Sequence, residues 1–390
     1  MQALPALVWA RHSPGLFLIS HRFVEQGGLL NLRKLEWLRG CVFGLLSAGL
    51  AGCDSGADPG TQGSRLESFG GPTMGSSYSV SYVRRADQPD VAAVQPEVQA
   101  ILAEVDRQMS TWRSDSDIER FNALPADSCQ AMPEPVLQLV RLGEQLSQTS
   151  EGRYDLTVEP LMNLWGFGPQ SRTEQVPDAD QLAQARLRVG HQHLRIEDQR
   201  LCKDAAVEVD FNSIAAGYAV DRISARIQAM GINDYLVEAT GELKAVGKKA
   251  DGSPWLIGLE QPRDDQRIAQ RVIAVDGYGV STSGDYRKYF LRDGHRYSHT
   301  LDALTGAPVE HALASVTVMH SSALMADGLS TLLLILGPER GWDYAEQHHI
   351  AAFFVIRDDK GFIIRSNRAF DQLSGGDAVP TKLANDATKG

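Results

Sequence analysis

The stretch ALMADGLSTLLLIL (residues 323–336), with the break Gly337-Pro338 behind it and AAFFVI (351–356) further on, sets the fold class. Its spacing predicts the most apolar helix of the chain, Ala323–Leu336, then a second helical piece over Pro338–Gln347 and a buried strand at Ala352–Ile356. Working backward, Tyr235–Glu238 and Val272–Val275 read as buried strands. Ser213–Met230 is helical through Ile214, Ala215, Tyr218 and Ile223. Pro135–Leu146 and Pro96–Met109 show the same period, and Tyr78, Val80 and Tyr82 alternate along a strand at Tyr78–Val83. Helices and strands are interleaved without a regular βα repeat. That order implies an α+β body and argues against a doubly wound sheet.

The chain has 390 residues, 43% hydrophobic and 22% charged, the composition of a globular protein with ample core material. Lys and Arg total 38 against 49 Asp and Glu, a net charge of −11, so no broad basic field exists and nucleic acid is excluded as a partner. No Walker A sequence, GxGxxG turn, HExxH or GxSxG occurs, and the ten histidines form no zinc-ligand pattern. Chemistry run by oxygen ligands, chemistry run by an isolated histidine, or no chemistry at all remains.

The first fifty residues differ from the rest. Arg33, Lys34 and Arg39 precede the apolar run Cys41–Leu50, which ends in Leu50-Ala51-Gly52-Cys53. The run has signal-peptide length and is too short for a comfortable span. The LAGC ending resembles a bacterial lipobox, with Cys53 as the lipidated thiol. Residues 1–52 are therefore expected to be a signal region with an over-long start, and 53–66 a lipidated cysteine and flexible tether. A body at 67–373 and a polar tail at 374–390 follow. The expected location is the cell envelope, lipid-anchored on the periplasmic face of the inner membrane. Cys129 and Cys202 are left in an oxidising compartment, and their spacing does not decide whether they pair.

Eight motifs in order resemble the FAD:protein FMN transferase family, once labelled thiamine-biosynthesis lipoproteins. They are Pro72-Thr73-Met74-Gly75; Met109-Ser110-Thr111-Trp112 with Asp115-Ser116; Gly152 to Val158; and Leu164-Trp165-Gly166-Phe167-Gly168. Asp210 to Ala215 with Gly217 to Asp221, Thr282 to Tyr286, Ser298 to Asp302 with Thr305-Gly306, and Ala326 to Thr331 complete the set. The resemblance implies a two-lobed, T-fold-like body with the cofactor cleft between lobes. It also implies an enzyme that binds FAD with Mg²⁺ (or Mn²⁺) and transfers FMN to a threonine hydroxyl of a membrane redox subunit, releasing AMP. An FAD pyrophosphatase and a non-catalytic FAD-binding lipoprotein are the alternatives.

Asp327 and Thr331, four apart on one helix face with Ser330 beside them, suit a hard cation; capping by Asp327 and back-bonding by Thr331 are the bland alternative. The resemblance places metal ligands at Asp327, Ser330 and Thr331, and one at Ser213. His299 is the base candidate, and Asp302 would orient it or help bind metal and hydroxyl. The family's flavin contacts fall on Met74, Trp112, Arg153, Tyr154, Asp155, Asp210, Ala216 and Leu301. A thioether and an aromatic face suit a flat ring, and carboxylates suit ribityl or ribose hydroxyls. Trp165 and Phe167 read as structural aromatics. Four departures from the family pattern stand out. Ala216 replaces Lys or Glu, Ala303-Leu304 replaces Pro-Arg, Trp112 replaces Tyr, and Thr240 replaces the first glycine of a Gly-Gly-Glu turn that ends in the weaker candidate Glu242.

Overall fold

A computed structural model describes residues 16–18, 63–171, 173–263 and 268–375. Cys53, most of the expected tether and nearly all of the expected tail lie outside the described residues. Residues Leu16–Leu18 (β1) pair antiparallel with Trp255–Glu260 (β9). Among the described residues no helix is long and apolar enough to cross a membrane.

The centre is an eight-stranded sheet in which every pairing is antiparallel. From one edge it runs β18 (Gly361–Ser366), β17 (Ala351–Asp358), β16 (Leu313–His320) and β11 (Tyr278–Gly284). It continues through β8 (Glu242–Val246), β7 (Tyr235–Ala239), β3 (Ser76–Arg84) and β2 (Arg65–Thr73). Both faces are buried, and period-two alternation divides the side chains between them. Tyr78, Val80, Tyr82, Val237, Val316, Val318 and Phe354 join the larger core with the helices. Leu236, Leu243, Val280, Met319, Phe353 and Val355 join a second core on the opposite face. That second core is closed by β9, by β10 (Ala269–Val275) and by α8 (Arg368–Leu373).

The helical face carries α1 (Val91–Met109), α2 (Asp117–Asn122), α3 (Glu134–Thr149), α6 (Ala215–Ala229) and α7 (Ala323–Gln347). Helix α1 begins before the expected Pro96. Asp90 caps it through Ala93 N–H at 3.2 Å, and buried Val94 and Val98 carry the apolar face across the proline. Helix α7 is apolar on nearly every side because it lies between the sheet and the other helices, as a core helix must. Gly337, at φ 81°, interrupts it at the expected break.

Short elements complete the body: α4 (Glu159–Trp165), α5 (Ala179–Arg186), β12 (Tyr289–Arg292) paired with β13 (His295–Ser298), and β14 (Leu301–Asp302) paired with β15 (Ala307–Pro308). A small sheet places β6 (Arg200–Lys203) between β4 (Ser128–Ala131) and β5 (Leu194–Glu197). Cys129 and Cys202 stand directly opposite in its register and form a disulfide. The α+β expectation matches the observed mixture of antiparallel strands and helices.

Candidate functional site

The site forms where α6 meets α7. Helix α7 enters on Ser322, whose hydroxyl accepts Met325 N–H at 3.2 Å. Asp221 of α6 holds that entrance. Its carboxylate accepts the Ser322 hydroxyl at 2.6 Å, the N–H groups of Ala323 and Leu324 at 3.0 and 3.1 Å, and Lys244 Nζ at 3.1 Å. A carboxylate at a helix N-terminus is favoured by the unpaired N–H groups there. The helices touch at Gly217, where a Cβ would lie 2.4 Å from Ala323 O and 2.7 Å from Asp327 Cβ. Through that gap Gly217 N–H reaches Asp327 Oδ2 at 2.9 Å. Asp327 therefore caps nothing on its own helix; it is aimed across at α6.

Asp327 is 5% exposed, and no cationic side chain pairs with it among the described residues. Burial, and then the charge of Glu242, push its carboxyl well above the usual range. Such a carboxylate fits a hard cation, which would supply the missing positive charge. Thr331 lies one turn on, with its hydroxyl 3.1 Å from Ser283 Oγ of β11. Ser213 stands just before α6 with its hydroxyl 2.7 Å from that of buried Tyr154, whose ionisation burial and then the fields of Asp327, Asp210 and Asp155 oppose. Ser330 corrects the expectation that it offers a free ligand. Its hydroxyl is fully engaged by Asp327 O, Ser281 Oγ and Ser283 Oγ at 3.0, 3.0 and 2.9 Å, so it braces the turn carrying the donors.

His299 follows directly on β13. Its Nδ1 lies 3.0 Å from the Lys288 carbonyl, which also accepts the His299 N–H at 3.1 Å. A carbonyl only accepts, so this contact assigns the imidazole hydrogen to Nδ1 and leaves the Nε2 lone pair free for a proton. Burial, then the Lys288 ammonium, lower the imidazole pKa to about 4. Asp302 has a different task from the one expected. It forms an ion pair with Arg153 and accepts Leu304 N–H at 2.9 Å, so it fixes the turn after β14 while a main-chain carbonyl orients the histidine. Trp165, Phe290, Leu301, Leu161 and Ala185 form a small separate core beneath this hairpin. Phe167 meets the His299 ring edge-on at 6.4 Å. The structural reading of Trp165 and Phe167 matches their places in this support.

The remaining flavin candidates divide. Met74 and Gly75 form the two-residue tip of the β2–β3 hairpin, both with positive φ (46° and 71°). Methionine is held there against its preference, a cost of roughly 1–2 kcal/mol that marks the position. Trp112 is 50% exposed at the surface. Asp210 is 4% exposed and binds the N–H and side-chain amide of Asn212 at 2.6 and 2.9 Å, shaping the turn into Ser213. Asp155 accepts Thr157 N–H and hydroxyl, both at 2.8 Å, and His191 N–H at 2.7 Å. Its Oδ1 serves the turn at Thr157, and its Oδ2 ties that turn to the main chain of His191. Ala216 is buried in the first turn of α6.

Reading residues by type missed Asp221, Ser283 and Lys288. The first two sat inside quoted motifs without a role. Lys288 follows one of those motifs by two residues, and only its carbonyl's contact with His299 exposes it. Glu242, raised by burial and held by Thr240 Oγ1 at 2.8 Å, gains weight from its field on Asp327.

Residues 74–354 match the model of the ApbE family. A curated FAD:protein FMN transferase of Vibrio cholerae is 40% identical over 314 residues, covering 80% of this chain and 92% of the relative. One from Escherichia coli K12 is 34% identical over 326 residues, covering 82% and 93%. Among solved structures, the apo form of the Pseudomonas stutzeri flavinyl transferase ApbE is 58% identical with a TM-score of 0.76, over 80% of this chain and 98% of that one.

Proposed function

From the premise that the chain belongs to the ApbE family and is an FAD:protein FMN transferase, we propose a specific reaction. With Mg²⁺ bound, it moves FMN from FAD to a threonine hydroxyl of a membrane redox subunit and releases AMP. The observation that carries this reading is the aim of buried Asp327 across the α6–α7 contact at Gly217, one helical turn before Thr331. Asp327, Thr331 and Ser213 would hold the ion. When bound, it would supply positive charge to offset the charge of the diphosphate.

The chain's own groups do the rest. His299 is neutral above about pH 4, so its Nε2 is ready to take the proton of the acceptor hydroxyl at neutral pH. The hydroxyl oxygen bonds to the FMN phosphorus, the phosphorus–oxygen bond to AMP breaks, and AMP departs with the electron pair. Met74 and Trp112 border the flavin ring, and the Arg153–Asp302 pair sets the turn beside the base. Lipidation at Cys53 would hold the enzyme on the periplasmic face of the inner membrane and raise its effective concentration near a membrane acceptor.

Incubating the lipid-free chain with FAD, Mg²⁺ and candidate redox subunits should add the mass of FMN to one threonine. Asp327→Ala should abolish that addition, and undiminished labelling would sink the metal assignment. Release of FMN and AMP with no labelled acceptor would replace transfer by hydrolysis.

A further inference from the structure

The ammonium of Lys288 is placed differently from those of Lys203 and Lys244. Lys203 Nζ bonds to the carbonyls of Asn122 and Val207, each at 3.0 Å, and Lys244 Nζ bonds to Asp221 and to Ser321 O. Neighbouring Arg287 bonds to Glu260 at 2.6 Å. Lys288 Nζ makes no hydrogen bond or ion pair among the described residues, although it stands in the fields of Glu242 and Asp210. Those two are only 9% and 4% exposed and are held by Thr240 and Asn212. The Lys288 surface is open to water, yet the surrounding protein lowers its pKa, a combination that a cleft wall produces. Its main chain cannot wander, because its carbonyl carries His299.

The charge pattern asks for positive charge before an anion can enter. Asp210, Glu242 and Asp327 face one region, and the first turn of α6 offers only Ala216. A diphosphate entering here meets carboxylates on β8, on α7 and before α6. A cation held at Asp327 covers one end of that region, and the end near Asp210 and Glu242 still needs positive charge. We propose that Lys288 is a substrate-binding residue whose ammonium contacts the diphosphate oxygens of FAD, doing from the base of β12 what a cation at position 216 would do from α6. The inference rests on the flavin-transfer reading. It adds no covalent step: the lysine binds anionic oxygens and keeps its protons.

The test is fluorescence titration of FAD and of riboflavin, which lacks the diphosphate, in EDTA and again with Mg²⁺. The proteins are the unmodified chain, Lys288→Ala, Lys288→Gln and Lys288→Arg. Losing one charge-assisted contact should weaken FAD binding by about tenfold or more in Lys288→Ala and Lys288→Gln. Riboflavin binding should be unchanged, and Lys288→Arg should retain FAD. The assignment is overturned if the neutral variants bind FAD as the unmodified chain does, or if they lose FAD and riboflavin alike, which would make Lys288 a prop. If the unmodified chain binds FAD under neither condition, the flavin reading itself falls, a result distinct from loss of the Lys288 contact alone.

Discussion

In the proposed reaction Asp327 and His299 serve one site on unlike supports. Asp327 lies on a long buried helix whose entrance is tied down by four donors to Asp221, and its carboxylate is met by a main-chain N–H at the closest approach of two helices. His299 hangs from one carbonyl at the end of a short hairpin over a five-residue core. The first support is shared with the main core, so disturbing it costs stability as well as chemistry. The second is a satellite, so disturbing it should cost chemistry alone. The contrast suits the proposed tasks: a cation site needs fixed donors, whereas a base must meet an incoming protein segment.

Asp327→Ala should give the largest effect, a loss of FMN transfer of about a thousandfold or more, read by acceptor labelling. Gly217→Ala comes next. Its methyl group would drive α6 from α7 at a cost of roughly 1–3 kcal/mol, visible together as a lower melting temperature and weaker transfer. A variant that melts normally while transfer falls would break the claim that this side couples stability to chemistry.

Phe167→Ala tests the other support, with transfer falling about tenfold while the melting temperature scarcely moves. It should also shift the acid limb of kcat/KM. His299 is held down to about 4 chiefly by burial, so the base stays unprotonated until the pH falls that far. Letting water in should raise the limb toward the ordinary histidine value of about 6.5. An unmoved limb would remove Phe167 from the support of the base.

The smallest effect belongs to Glu159, fully buried and pushed up to about 9 by burial first and then by the charges of Asp210, Glu119 and Glu208. Its folded pKa exceeds the ordinary value near 4.5. It therefore costs nothing below about pH 4.5 and opposes folding increasingly as the pH rises toward 9. Glu159→Gln should be neutral near pH 4 and raise the melting temperature slightly at pH 8, with thermal melts at both values deciding.

Much of this was legible in order along the chain. Helix α7 and its break at Gly337, strands β3 and β7, and helix α6 follow from local periodicity, because a buried face repeats with the period of its element. Helix α1 starts earlier than its apolar spacing from Pro96 indicates, because Asp90 caps it upstream. The roles of Asp302 and Ser330 were illegible for a different reason. Both have the right chemistry, but their capacity is spent on Arg153 and Leu304 in one case and on Ser281 and Ser283 in the other.

The amino-acid sequence alone carried the element types, the order of the motifs and the residues able to bind an ion or accept a proton, since these depend on side-chain chemistry and near neighbours. Tertiary structure decided which groups remain available. It paired Cys129 with Cys202 by strand register, handed His299 to the carbonyl of Lys288, and turned Asp327 toward Gly217. Each contact joins residues set apart by loops or whole elements, and no local period encodes a distance of that kind.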